Sequence, residues 1–392
     1  MTKEISDIIQ AFKIAQQQKR QTALATVVMV EGSSYRRPGA RMLIEDNGKM
    51  TGAISGGCLE GDAFKKAMLV VMQQKNRIVT YNTMDEDVEF GVQLGCNGIV
   101  HILFEPLDPD DNNNPVALLE KFYREAKETV LVTLFSLKNF HAAQPGTCFF
   151  FDGERTISKI EDKNLEHLVK ENSITALSNR NSFIQQYTET GLTALLELLE
   201  PPVSLVIIGA GNNALPLIEM ATILGWQITV IDGRSSHANN QRFSKSNKII
   251  VGKPAKAIKQ IVIDERTVFV LMTHNYNYDF AMLQILLETK SRYIGILGPK
   301  KRLYRMLGEL QVQGIVLTVE QQAMIYGPAG LDLGAEAAEE IALSIIAEIK
   351  AVLSTRPGTF LRDKPGVIHP RSEFIIDNTE PMKIKRADGF KQ

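Results

Sequence analysis

The sequence predicts an α/β protein, with an N-terminal α/β module followed by a C-terminal doubly wound parallel sheet. Three observations support this prediction. Short apolar segments alternate with helical ones after Val203, Pro201-Pro202 marks a boundary just before them, and a glycine-rich turn follows the first apolar segment. Before this boundary, strands and amphipathic helices alternate less regularly, which favours a separate module.

Local periodicity predicts the elements of the N-terminal module, which we place at residues 1–107. Apolar residues at helical spacing predict the first helix, and Asn47-Gly48 predicts a hairpin turn between two short strands. The predicted elements are helices over 3–18 and 59–74 and strands over 22–30, 42–45, 50–54, 77–81 and 99–105. The next segment, 108–200, is predicted to be a linker and connecting α/β region. Its start is rich in Asp, Asn and Pro, and 164–186 has no clear periodicity.

A Rossmann-type domain is predicted over 201–353 and a C-terminal tail over 354–392. Strands are expected over 203–208, 227–231, 248–251, 267–272 and 293–297, and helices over 213–224, 280–288, 300–311 and 335–353. Because helices separate successive strands, we expect those strands to be parallel.

A dinucleotide fingerprint lies between the first strand and helix of this domain. Gly209-Ala-Gly211-Asn-Asn-Ala214 has the form G-x-G-x-x-A, in which Gly209 permits the turn and Gly211 lets a pyrophosphate approach the backbone. Asp232 follows Gly211 by 21 residues, where a ribose-binding acid is expected, and it favours NAD over NADP. Arg234 could instead meet a 2′-phosphate. The alternative is that the glycines serve only the turn and that Asp232 pairs with Arg234.

Two further polar clusters follow later strands of the same domain. His274 and Asp279 come where open α/β sheets bind ligands, and a histidine can exchange protons near neutral pH. The alternative is a turn and a helix cap. Residues 295–302 offer backbone amides and three cations, which indicate either an anion site or a solvated helix start.

Glycine-rich segments of the N-terminal module predict a second ligand site. Residues 31–41 place hydroxyl and guanidinium groups around glycines, an arrangement suited to phosphate, and the candidate ligands are Ser33, Ser34, Arg36, Arg37 and Arg41. Cys58 follows Gly56-Gly57 at a predicted helix start, which favours a thiolate able to bind a soft metal. Cys96 lies in another glycine-flanked turn. The alternatives are a solvated loop and buried thiols; Cys148, among aromatic residues, is interpreted as core.

Composition narrows the function classes. The net charge of −1 over 392 residues gives no general attraction to nucleic acid or to an acidic membrane. Three widely spaced cysteines predict free thiols, and no apolar run is long enough to span a bilayer. We therefore expect a soluble cytoplasmic protein with no nucleic-acid or membrane partner.

In this order, the segments resemble the xanthine dehydrogenase accessory factor family (XdhC/CoxI). The resemblance rests on residues 32–41, 55–60, 95–96, 209–211, 231–234, 272–279, 295–298 and 330–348. It implies a cofactor chaperone, more a maturation factor than an enzyme, that binds molybdenum cofactor (molybdopterin), assists its sulfuration through a cysteine desulfurase and inserts it into a xanthine-dehydrogenase-type molybdoenzyme. It also implies a homodimer, a pterin phosphate held by Arg36, Arg37 and Arg41, and Cys58 near the metal.

The chain departs from the family pattern at Asn212, where a histidine is expected, and at Asn97, where a glycine is usual. Two other functions stay open. The glycine fingerprint and His274 are compatible with an NAD(P)-dependent oxidoreductase. A nucleotide-sensing scaffold would bind a dinucleotide without molybdenum cofactor, and the Rossmann ligand itself is open.

Overall fold

The computed structural model describes residues 2–32, 34–57, 59–82, 98–140, 142–365 and 373–376. Ser33, Cys58 and Cys96 lie outside these residues. The chain forms two compact units: Met1–Pro201 together with His369–Gln392, and Pro202–Ile368. The subdivision of the first unit near residue 107 stays a prediction.

The first unit begins with a five-stranded antiparallel sheet, here called the first sheet. Its strand order is β3-β2-β1-β5-β4. The strands are β1 (Thr22–Gly32), β2 (Arg41–Glu45), β3 (Met50–Gly52), β4 (Arg77–Asn82) and β5 (Gly98–Pro106), and the helices are α1 (Thr2–Gln17) and α2 (Glu60–Gln73). Both helices are amphipathic, and α2 buries Ala63, Ala67 and Val70 against one face of the sheet.

A second, six-stranded sheet completes this unit, in the order β17-β9-β10-β6-β7-β8. Its elements are α3 (Pro115–Glu125), β6 (Thr129–Phe135), β7 (Gly146–Phe151), β8 (Thr156–Ser158), α4 (Lys163–Ser178), β9 (Phe183–Tyr187), β10 (Leu192–Leu199) and β17 (Glu373–Ile376). Val28 and Leu103 of the first sheet pack with Phe135 and Leu195 of the second, so the two sheets share a core.

The second unit holds a parallel six-stranded sheet in the order β13-β12-β11-β14-β15-β16. Its strands are β11 (Ser204–Ile208), β12 (Gln227–Asp232), β13 (Lys248–Val251), β14 (Thr267–Leu271), β15 (Ile294–Ile296) and β16 (Ile325–Tyr326). Its helices are α5 (Ala214–Ile223), α6 (Pro254–Ala257), α7 (Tyr276–Leu286), α8 (Lys300–Val312), α9 (Val319–Ala323) and α10 (Ala338–Leu353), with short 3₁₀ turns at Ile258–Gln260 and Leu361–Asp363.

The second unit confirms the predicted doubly wound fold. All five residues of β14 are buried, as expected for a parallel strand covered on both faces. Separate clusters of apolar side chains cover the two faces of the sheet. Helix α7 begins earlier than predicted because the Asn275 side chain accepts a hydrogen bond from the Tyr278 amide and caps the helix at Tyr276.

Candidate functional site

The glycine-rich motifs of the first unit come together at one end of the first sheet, which we call the motif end. The register places Gly32, at the end of β1, opposite Gly98, at the start of β5. Strand β2 starts and β3 stops at this same end, because Met42 pairs with Gly52. Gly32 and Gly98, which lie near Ser33 and Cys96 in the sequence, are therefore neighbours at the motif end.

A hydrogen-bonded turn precedes helix α2 at the motif end. The Ser55 hydroxyl lies 2.9 Å from a Glu60 carboxylate oxygen and accepts the amide hydrogens of Gly57 and Leu59 at 3.1 and 3.2 Å. Gly57 has φ +110°, which favours glycine. The turn on both sides of Cys58 is thus fixed by one buried hydroxyl.

The arginine loop lies against this turn. A Cβ added to Gly56 would be 3.8 Å from the ring of Tyr35, so the two motifs are in van der Waals reach. Tyr35 is nevertheless 74% exposed. Gly56 and Gly57 are also exposed, and Ser34 is half-buried. The motif end therefore offers an aromatic ring, a hydroxyl and bare backbone on one surface.

The three predicted phosphate-binding arginines have different environments. Arg41 is 2% exposed, and its guanidinium donates to both carboxylate oxygens of Glu197, at 3.0 and 2.5 Å, and to the Gly39 carbonyl. Burial lowers the pKa of Arg41, but the attraction of Glu197 outweighs it and raises the pKa overall. Arg41 therefore stabilises the interior by joining the two sheets, and it presents no guanidinium to a ligand.

Arg36 and Arg37 stay closer to the surface. Arg36 is half-buried and donates to Glu4 of helix α1, whose other oxygen accepts the Arg41 amide at 3.4 Å. This pair fastens the loop to the helix. Arg37 is exposed. Of the three arginines, Arg37 is the most exposed.

Sequence analysis missed a buried histidine beside this site. His101 of β5 is 4% exposed; its Nε2 lies 2.9 Å from Glu31 Oε1 and its Nδ1 2.9 Å from Thr80 Oγ1. Because a carboxylate only accepts, Nε2 carries the proton in this arrangement. A histidine within the apolar run of β5 was the available signal. It orients Glu31, one residue before the Gly32 turn.

In the second unit, the fingerprint turn lies at the point where the strand order reverses. Strands β11 and β14 are neighbours, and β12 and β15 lie outside them. Gly209 has φ +125°, and an added Cβ would be 2.6 Å from the Met272 carbonyl. The turn after β11 and the turn after β14 therefore touch, which brings Gly211 and His274 to the same cavity.

This cavity has a volume of about 460 Å³, and its lining contains two arginines and two histidines but no carboxylate. Arg242, which sequence analysis missed, donates to the Ala210 carbonyl at 2.7 Å and to Asn212 Oδ1 at 2.7 Å. Within the described part of the chain, no carboxylate pairs with Arg242. Asn212, the departure from the family pattern, thus holds a cation against the glycine turn.

Asp232 and Arg234 are paired at the end of β12. Asp232 is 3% exposed and accepts four N–H groups: the amides of Ala210 and Arg234 and two guanidinium nitrogens of Arg234. Burial raises the pKa of Asp232, but these hydrogen bonds outweigh it and hold the pKa below its usual value. The pairing that sequence analysis kept as an alternative is present in the structure.

The residues after β14 divide into a buried and an exposed group. Asp279 is fully buried and accepts from the Thr273 hydroxyl at 2.6 Å and from Arg302 at 2.5 Å, so it fixes the turn. Burial is the main cause that raises the pKa of Asp279. His274 is exposed, lines the cavity and has φ +60°, an uncommon left-handed conformation for histidine.

Cys148 is confirmed as a core residue: it is 5% exposed, and burial raises the pKa of its thiol to about 12. Among the described residues, no group of three or more His, Cys, Asp or Glu side chains is arranged to hold a metal ion. None of the helices in the described ranges has both the length and the apolar character that crossing a membrane requires.

A parallel-sheet unit with a nucleotide-type glycine turn follows, in the same chain, a unit that brings glycine-rich motifs to one end of its first sheet. This combination defines a class of two-unit α/β proteins. Two family models match the chain: the XdhC Rossmann domain over residues 205–349 and the XdhC and CoxI family over residues 15–82. Together the two matches cover more than half of the sequence. The chain belongs to the XdhC and CoxI family of xanthine dehydrogenase accessory factors.

Individual relatives agree with this assignment. A probable xanthine dehydrogenase subunit of Bacillus subtilis is 29% identical over 338 residues, which cover 84% of this chain and 93% of the relative. The molybdenum cofactor insertion chaperone PaoD of Escherichia coli is 23% identical over 332 residues, which cover 84% of this chain and 82% of the relative. The crystal structure of a xanthine dehydrogenase from Bacillus halodurans superposes with a TM-score of 0.74 at 28% identity, covering 92% of this chain and 98% of that one.

Proposed function

We propose that this protein binds molybdenum cofactor as cargo at the motif end and helps to insert it into a xanthine-dehydrogenase-type molybdoenzyme. One observation carries the proposal: the register of the first sheet and the contact between Gly56 and Tyr35 gather the glycine-rich motifs onto one exposed surface. The similarity to an insertion chaperone over most of both chains supports the choice of cargo.

The residues present fit a phosphorylated, sulfur-rich ligand. Arg37 supplies a guanidinium and Ser34 a hydroxyl, both suited to a phosphate. The exposed ring of Tyr35 is suited to a flat heterocycle. The bound metal group would supply the cargo's redox chemistry; the protein's own residues hold and orient it. Arg36 and Arg41 keep the loop in place rather than touching the ligand.

Cys58 is proposed as the sulfur that approaches the molybdenum. The Ser55 hydroxyl fixes the amides of Gly57 and Leu59, the two neighbours of Cys58 in the sequence. Thiolates are soft ligands suited to such a metal centre. Cys96 is proposed as a second sulfur of this site, since Gly98, two residues later in the sequence, starts β5 opposite Gly32.

The finer parts of the proposal are supported by the family resemblance. They are assistance in sulfuration together with a cysteine desulfurase, action in the cytoplasm and assembly as a homodimer. Light scattering during size-exclusion chromatography checks the dimer, because a single peak at the mass of one chain, 43.6 kDa, would contradict it. Co-purification with a desulfurase, with and without cofactor synthesis, checks the second partner.

Elemental analysis of protein co-produced with the cofactor tests the cargo site. We expect Arg37→Ala and Cys58→Ala to lose most of the bound molybdenum. Their matched controls, Arg124→Ala on the exposed face of α3 and Cys148→Ala in the core, should retain it. Unchanged molybdenum in Cys58→Ala rejects the thiolate role, and unchanged molybdenum in both test variants rejects the site. A protein that binds a dinucleotide but never molybdenum would support the scaffold instead.

A further inference from the structure

We infer that the cavity of the second unit selects a dinucleotide carrying a phosphate on its adenosine ribose, so that a 2′-phosphorylated adenine dinucleotide binds and its unphosphorylated counterpart binds poorly. This reverses the preference for NAD that Asp232 suggested from the sequence. The inference concerns a different unit from the proposed cargo site and does not depend on it.

The first step is the state of Asp232. A ribose diol needs a carboxylate with free lone pairs, and an ionised carboxylate accepts about four hydrogen bonds. All four are taken: Oδ1 accepts from the amide and Nε of Arg234, and Oδ2 accepts from the Ala210 amide and Arg234 Nη2, at 2.8–3.0 Å. The carboxylate is also buried. It therefore has no acceptor left for a ribose hydroxyl.

The second step is what replaces the carboxylate on the cavity surface. Arg234 uses one edge of its guanidinium for Asp232, and its side chain is 50% exposed along the cavity. In the part of the chain that the structure describes, Arg234 Nη1 has no acceptor. The Ser236 hydroxyl and the His237 ring, 3.0 Å apart, line the same cavity. Together with Arg234 they present donors, which match a phosphate.

The third step is the charge that remains. The charge of Arg234 is balanced by Asp232, whereas Arg242 is bonded to neutral oxygens of Ala210, His237 and Asn212. Its positive charge lies beside Gly211 and the start of the ten-residue helix α5. The glycine turn and the helix start suit a pyrophosphate, and Arg242 adds to their attraction. A ligand with the extra phosphate next to Arg234 satisfies both groups of donors.

Calorimetric titration of the full chain with NADP⁺ and NAD⁺, without molybdenum cofactor, tests the inference. We expect NADP⁺ to bind at least about tenfold more tightly, since hydrogen bonds to a charged group contribute at this level. Adenosine 2′,5′-bisphosphate should compete with NADP⁺, and 5′-AMP and inorganic phosphate should compete much less. Equal affinity for the two dinucleotides, no binding of either, or equally strong competition by inorganic phosphate would overturn the inference.

The variant Arg234→Ala sharpens the test because it should change the affinities for NADP⁺ and NAD⁺ in opposite directions. It removes the guanidinium donors and frees the acceptor sites that they occupy on Asp232, so NADP⁺ should weaken about tenfold or more while NAD⁺ binds more tightly. Arg266→Ala is the matched control: Arg266 binds Asp264 through its amide and guanidinium at the same Asp-x-Arg spacing, before β14 rather than after β12. Loss of selectivity in both variants, or in neither, would contradict a role for Arg234.

Discussion

The motif end of the first sheet and the cavity of the parallel sheet both surround glycine turns with arginines, but they use the charge differently. At the motif end, Arg41 is buried against Glu197 and Arg36 is bound to a glutamate of α1. At the cavity, Arg242 has only neutral acceptors and Arg234 is half exposed. The same residue type therefore holds the fold together at Arg36 and Arg41 and faces a ligand space at Arg234 and Arg242.

The difference lies in the partner that replaces water at each guanidinium group. A buried arginine must be matched by a carboxylate, and losing either partner leaves an unpaired charge in the interior. An arginine at a cavity bonded to carbonyl oxygens keeps its net charge and can attract an anion. Burial and partner, not the arginine-rich motif, thus distinguish a structural cation from a binding one.

The largest expected effect comes from Arg41→Ala. The substitution leaves Glu197 buried without its partner, and we expect the free energy of unfolding to fall by about 3–5 kcal/mol. Chemical denaturation measures this. Arg36→Ala, which breaks a pair that is still partly exposed, should cost less, about 1 kcal/mol. If Arg41→Met with Glu197→Leu is no more stable than Arg41→Ala alone, the unpaired charge is not the cause.

The next effect tests the close approach in the second unit. In Gly209→Ala the new methyl group would lie 2.6 Å from the Met272 carbonyl at a φ of +125°, and we expect a loss of about 2–4 kcal/mol. Gly211→Ala is the control, because nothing lies within 4 Å of its added Cβ. Gly211→Ala should unfold like the parent and still lose dinucleotide affinity, since its methyl enters the cavity; equal stability of both variants would refute the contact.

A smaller effect is expected at the turn before α2. Ser55→Ala removes the acceptor of the Gly57 and Leu59 amides and should cost about 1–2 kcal/mol, the range of a lost helix cap. Asp162→Ala removes the cap of α4 in the same unit and should cost a similar amount. Only Ser55→Ala should also reduce bound molybdenum. Equal molybdenum in the two variants would separate the turn from the proposed site.

Much of the fold could be predicted from the sequence because it depends on local patterns. The G-x-G-x-x-A turn and the strand–helix alternation after Val203 predict the parallel sheet. The segment 164–186 shows no clear periodicity because α4 buries only a few of its residues. Strand β17 was not predicted, and it pairs with β9, which lies far away in the chain. No local pattern predicts such a long-range pairing.

The candidate sites were less predictable for the same reason. Arg41 lies within a motif typical of phosphate binding, but its partner Glu197 is 156 residues away. Only the packing of the two sheets shows that the pair is internal. Arg242 lies in a loop without any pattern, and folding brings it to the glycine turn 32 residues earlier. Residue type predicted the chemistry available, whereas burial decided which groups can use it.

The smallest expected effect is in the pH dependence of stability. The slope of stability against pH that a buried carboxylate contributes should be negative for Glu105 in the first unit and positive for Asp232 in the second. Burial raises the pKa of Glu105, which accepts from Thr147 inside the first unit, while Arg234 and Ala210 lower that of Asp232. A raised carboxyl pKa means that the folded state binds the proton more tightly, so stability falls as the pH rises past about 4.5, the ordinary value of a glutamate. A lowered pKa means that stability falls as the pH drops below about 4.

Melting profiles of the parent and of two variants, measured against pH, test this prediction. The parent profile minus that of Glu105→Gln should decline with rising pH, and the parent profile minus that of Asp232→Asn should increase. Difference profiles whose slopes have the same sign would mean that one of these two carboxylates, Glu105 in the first unit or Asp232 at the cavity, is not in the environment described.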